Sequence, residues 1–121
     1  MPRDLVGDWS ASTLREPMGA GAKSVQVSLS VEAADEVDRL AGHRGQSVSA
    51  TLRQLIRWGM HGEGPLHPVP VPRPSYQRST VLAEGTLRQL STWQEQQGTR
   101  RAAILRSLVV DSLERMRAGE L

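Results

Sequence analysis

Ser24, Gln26 and Ser28 alternate with Val25, Val27 and Leu29. This period of two sets hydrogen-bonding side chains on one face of an extended segment and aliphatic ones on the other. Hydroxyls and a carboxamide in a row can donate and accept hydrogen bonds toward a polar partner, but a serine is no nucleophile without an adjacent base. The chain offers no such base in a useful setting. Its three histidines fall at a turn (His43) and beside or within a proline-rich stretch (His61, His67), and there is no cysteine. No glycine-rich phosphate loop follows a strand, and no paired carboxylates sit in an apolar context. Asp35, Glu36 and Asp38 share one short helix with Arg39 and read as a solvated face. His61, His67 and Glu63 suggest a metal site at first sight, but a proline-rich segment is a poor cage and no further protein ligand is evident. The chemistry on offer is recognition, with no catalysis, metal or cofactor expected.

The elements that must position this polar face follow directly. At Ser30 the period changes: Ser30 is a good N-cap, Glu32 and Asp35 lie in the first turn where the helix dipole favours anions, and Ala33, Val37, Leu40 and Ala41 repeat at helical spacing. Gly45 is placed to end that helix in the left-handed conformation. Ser47 or Ser49 can cap a second helix whose apolar stripe is Val48, Leu52, Leu55 and Ile56, and Gly59 and Gly62 are expected to stop it. A unit this small cannot bury enough apolar surface to offset its own ordering, and a lone strand leaves its backbone groups unpaired. It must find a partner strand.

The run VQVSLSVEAADEVDRLAGHRGQSVSATLRQLI, from Val25 to Ile56, resembles the ribbon-helix-helix family of the Arc, MetJ and CopG type. Strand phase, helix spacing, Gly45 and the Ser47-x-Ser49 start of the second helix fall in the family's order. The resemblance implies two units that pair their strands antiparallel, with the exposed face of that ribbon entering the DNA major groove.

The 121 residues carry a net charge of +2, a pI of about 9.9 and a hydrophobic fraction of 38%, enough for a modest core built mostly from aliphatic side chains. No apolar run approaches a membrane span or signal peptide, so a cytoplasmic protein with no membrane partner is expected. Residues 1–22 read as a flexible N-terminal arm, in which Trp9 is a candidate anchor for a protein partner. Residues 23–60 form the first unit. Residues 61–76 form a linker whose five prolines, Pro65, Pro68, Pro70, Pro72 and Pro74, forbid a helix and favour an extended polyproline conformation. At about 3.1 Å per residue it would span on the order of 40 Å.

After the linker the same plan returns over residues 77–118, leaving 119–121 as a tail. A constant offset of 53 aligns Leu29 with Leu82, Val37 with Leu90, Leu40 with Trp93, Gly45 with Gly98, Leu52 with Leu105 and Leu55 with Leu108. In that register Thr80 and Leu82 point inward, with Arg78 inward and Val81 outward, and a one-residue shift would reverse the faces. Thr99 is the expected cap of the last helix. The expected fold is therefore mainly α with a short two-stranded antiparallel ribbon, a tandem ribbon-helix-helix closing on itself as an intrachain pseudo-dimer. Pairing between chains is the alternative, and the high effective concentration supplied by a linker favours the first.

On the resemblance, Ser24, Gln26 and Ser28 would face base edges, with Ser79 and Val81 as counterparts on the second strand. Glutamine pairs bidentately with adenine and valine offers contact to a thymine methyl. The helix starts at Ser47, Val48 and Ser49 and at Thr99, Arg100 and Arg101 would meet phosphates, joined by Lys23, Arg44, Arg73 and Arg78. Such an asymmetric ribbon would read an unsymmetrical subsite, with self-association on DNA at direct repeats. The implied function is sequence-specific binding of double-stranded DNA, most simply as a transcriptional repressor. Tandem units of this kind also resemble the TraY type of conjugation accessory protein, so a plasmid relaxosome or partition factor is an alternative. An antitoxin and, from another class, a protein-interaction scaffold that does not bind DNA are the others.

Overall fold

Alternation at the start of each unit and helical spacing after it produce six elements in the computed structural model, which describes residues 20–119. These are β1 (Lys23–Leu29), α1 (Val31–Arg44), α2 (Val48–Met60), β2 (Tyr76–Leu82), α3 (Glu84–Gln97) and α4 (Arg101–Arg117). The offset of 53 carries β1 onto β2 and α1 onto α3 end to end, and α2 and α4 begin at equivalent residues. The N-terminal arm through residue 19, Trp9 included, lies outside the described residues.

The local signals act where the chemistry puts them. The Ser30 hydroxyl accepts from the Ala33 amide and the Ser47 hydroxyl from the Ala50 amide, so Ser47, not Ser49, caps α2. Gly45 and Gly98 close α1 and α3 at φ of 62° and 64°, the left-handed region where a side chain is strained. Thr99 does not cap the last helix: the N-cap position is Arg100, with no side-chain bond, while the Thr99 hydroxyl donates to the Gln97 carbonyl. The repeat register places Arg100 opposite Ser47, one residue beyond the threonine.

β1 and β2 pair antiparallel within the one chain, from Lys23 opposite Leu82 to Leu29 opposite Tyr76. β2 thus starts at the last residue of the span read as linker. Val25, Val27 and Leu29 turn inward with Thr80 and Leu82, and the two units share one core with Val37, Leu52, Leu55, Ile56, Leu90, Leu105, Leu108 and Leu113. Each such aliphatic side chain contributes about 1.5–3 kcal/mol on full burial, which is why neither unit stands without the other.

α2 and α4 cross at the centre of that core. Gly59 does not stop α2; it lies inside the helix, where an added Cβ would come 2.8 Å from the Leu108 carbonyl oxygen. At the equivalent position of the other unit, Ser112 donates its hydroxyl to the Leu55 carbonyl at 2.7 Å. One side of the crossing is thus closed by glycine and the other by a hydrogen bond.

The remaining polar contacts between units are one-sided as well. Arg78 Nε and Nη2 clamp the two Asp38 carboxylate oxygens at 2.8 and 2.7 Å, and Arg117 Nη2 reaches Glu36 at 2.8 Å. The Asp35–Asp38 stretch is therefore not merely a solvated face, because two of its acids are paired with the second unit. Buried Arg57 donates to the Thr86 hydroxyl at 3.0 Å, and the Thr80 hydroxyl donates to the Ser49 carbonyl at 2.7 Å. At the positions related by the repeat stand Ser91 and Val25, Gln89 and Gly64, Val110 and Ala33, and Ala102 and Val27. None of those pairs can form the corresponding side-chain bond.

The proline-rich connection is no free spacer. Its Val69 amide donates to the Ser107 hydroxyl at 3.2 Å, and its Val69 carbonyl accepts from buried Arg106 Nε at 2.8 Å. Leu66 packs against the core. Arg106 thus satisfies a linker carbonyl rather than an acid, and burial pushes its pKa down.

Candidate nucleic-acid interface

The inward residues of the ribbon are fixed by the core, so the outward ones are fixed too. Three cross-strand pairs face away from the helices: Ser24 with Val81, Gln26 with Ser79, and Ser28 with Gln77. Five of these six side chains are exposed and Ser28 is half-buried. The repeat keeps its gap-free register, and Val81 accordingly stands outward at 37% exposure. Gln77 is the residue that reading the sequence missed. The repeat offset, which maps Ser24 onto it, was the signal available.

Arg78 does not join this face. It occupies the inward phase of β2, and its guanidinium is committed to Asp38. The hydrogen bonds from Arg78 hold the Asp38 carboxyl below its ordinary pKa, and those same bonds hold Arg78 above its own. A cation neutralised in this way has little left for a phosphate.

The other basic residues flank the ribbon. Lys23 opens β1, exposed, and shares an open cleft of about 240 Å³ with Arg88, Arg101 and Glu84 at the start of α4. Arg88 is a further cation that the sequence reading did not include. Arg100 is exposed at the N-cap position of α4. Arg44 lies with its guanidinium carbon 4.8 Å from the Trp58 ring centroid, and its Nη1 donates to Gln54 at 3.0 Å, which holds the charge alongside the middle and last turn of α2. Arg73 is exposed in the connection before β2. Ser47 and Ser49 serve the fold through the α2 cap and the bond to Thr80, while the first backbone amides of α2 and α4 are the groups an anion would meet. Among the described residues no group of three or more His, Asp or Glu stands together to hold a metal ion, and no helix is long and apolar enough to cross a membrane.

Two antiparallel strands from successive β-α-α units, with four helices behind them, give a repeated pattern that matches a tandem ribbon-helix-helix-like fold. Residues 23–57 match the family described as ribbon-helix-helix protein, copG family. A ribbon-helix-helix domain therefore occupies the first unit, and the plan repeats in the second. Proteins of this family are non-catalytic and bind DNA, and the match supports a general nucleic-acid-binding, regulatory role for the domain that residues 23–57 form. No curated protein and no solved structure matches the chain.

Proposed function

We propose that the chain binds double-stranded DNA sequence-specifically by laying the β1–β2 ribbon in the major groove, and that it acts as a transcriptional repressor by occupying an operator. The observation that carries this reading is the outward row of Ser24, Gln26, Ser28, Gln77, Ser79 and Val81, polar apart from one valine, above an inner face buried through Val25, Val27, Leu29, Thr80 and Leu82. An exposed ribbon of these side chains has the hydrogen-bonding groups that read base edges. Lys23, Arg44, Arg73, Arg100 and Arg101, with the first amides of α2 (Val48 and Ser49) and of α4 (Arg101), then position the protein on phosphates.

Selection of genomic fragments by the purified chain at moderate salt tests the proposal. Sites within promoters support repression, whereas repeats clustered beside a transfer or replication origin support a relaxosome or partition accessory factor. A repressor or accessory factor loses affinity steeply as salt rises, because each neutralised phosphate releases counterions. No retention of duplex DNA even at low salt refutes DNA binding and leaves the protein-interaction scaffold, with antitoxin activity then tested through the arm that contains Trp9.

A further inference from the structure

Gln26 and Ser79 are cross-strand partners and also equivalent positions of the repeat, so the pseudo-twofold axis relating the units passes between them. Identical strands about that axis would present the same side chains in both directions. These strands do not. Toward one end the outward pair is Ser28 with Gln77, and toward the other it is Ser24 with Val81. Gln26 and Gln77 are diagonal neighbours on the face, within reach of one another across the strands. The two carboxamides therefore occupy the centre and one end of the ribbon, and an exposed isopropyl group stands at the other end.

A directional face is of use only if unit 1 always pairs with unit 2, and the one-sided contacts enforce that pairing. Two copies of unit 1 would set Arg57 against Ala33 and Asp38 against Val25, taking from each group a partner that it has here. Two copies of unit 2 would set Arg78 against Ser91 and Thr86 against Val110. Taking a partner from buried Arg57 or Thr86 is unfavourable, and the partly exposed Asp38–Arg78 pair adds a smaller bias. The order of the two strands is thereby built into the core.

Building on DNA binding by the ribbon, we propose that the ribbon engages its DNA subsite in one orientation only. Gln26 and Gln77 read adenines toward one end and Val81 contacts a thymine methyl toward the other, so the subsite is non-palindromic. The test is selection from a random-sequence duplex library by the full chain and by its Gln77→Ala and Val81→Ala variants, both changes being at exposed strand positions. The expected motif is non-palindromic. Gln77→Ala lowers adenine preference at one flank by roughly 5- to 150-fold, Val81→Ala lowers thymine preference several-fold at the opposite flank, and each leaves the other flank intact. A palindromic motif, or a loss spread over both flanks by either variant, overturns the single orientation while DNA binding by the ribbon stands. Failure of the full chain to retain any duplex overturns both.

Discussion

Replacing Gly59 by alanine sets two effects of opposite sign against each other, and the geometry decides between them. Alanine in place of glycine within a helix stabilises by about 0.5–1 kcal/mol through the lower entropy of the unfolded chain. Here the new methyl would lie 2.8 Å from the Leu108 carbonyl oxygen and 2.9 Å from Leu108 Cβ. Both are held by the α4 backbone, so relief requires the helices to move apart in the packed core, and overpacking of this kind costs about 1–3 kcal/mol. The expected net loss is about 1–2 kcal/mol, because the steric term exceeds the propensity gain. Gly42 is the internal control: it lies in α1, and a Cβ there would have nothing within 4 Å. Gly42→Ala should therefore gain about 0.5–1 kcal/mol. Urea unfolding followed by far-UV circular dichroism measures both variants on one scale. If Gly59→Ala proved as stabilising as Gly42→Ala, the close crossing of α2 and α4, and with it the shared core, would be refuted.

Acid should weaken the Asp38–Arg78 clamp. The folded pKa of Asp38 is depressed, so its contribution is complete above the unfolded carboxylate value of about 4 and fades as pH falls through the lower folded value. Because the pair is partly exposed, the effect is about 1 kcal/mol or less, and Asp38→Asn should flatten the acid limb of urea midpoint against pH. Thr86→Val keeps the side-chain shape and removes the hydroxyl that accepts from buried Arg57. A loss of about 1–3 kcal/mol is expected in the same unfolding assay, and no loss would show that the contact is immaterial. Arg100→Ser should separate fold from function: the serine can cap α4 as Ser47 caps α2, gaining about 0.5–1 kcal/mol. It also removes a cation, making the slope of log affinity against log salt shallower by about one. An unchanged slope would remove Arg100 from the phosphate contacts.

The strictly alternating β1, the Ser30 and Gly45 boundaries of α1 and the repeat were legible because each rests on short-range chemistry: phase, capping and left-handed glycine. The outward faces followed from phase alone. What was not legible depends on contacts between units. Arg78 has the composition of a phosphate ligand, and only the register that brings it to Asp38, 40 residues away, changes its role. Gly59 looks like a helix stop until the approach of α4 supplies a different reason for a missing side chain. Thr99 is the better cap by residue type, yet the repeat sets the helix start one residue later. Gln77 was passed over because the prolines before it obscure where β2 begins, although the register carried from β1 includes it.

The connection from α2 to β2 does more than tether, since Val69 is bound from both Ser107 and Arg106. A ribbon assembled from two separate chains melts on dilution, and the amount of competent reader then falls with the square of chain concentration. With both strands in one polypeptide, assembly is unimolecular. Occupancy of a single subsite then follows the first power of concentration down to a few molecules per cell, with no threshold set by dimerisation. Each strand is also free to change its reading residues without altering the other.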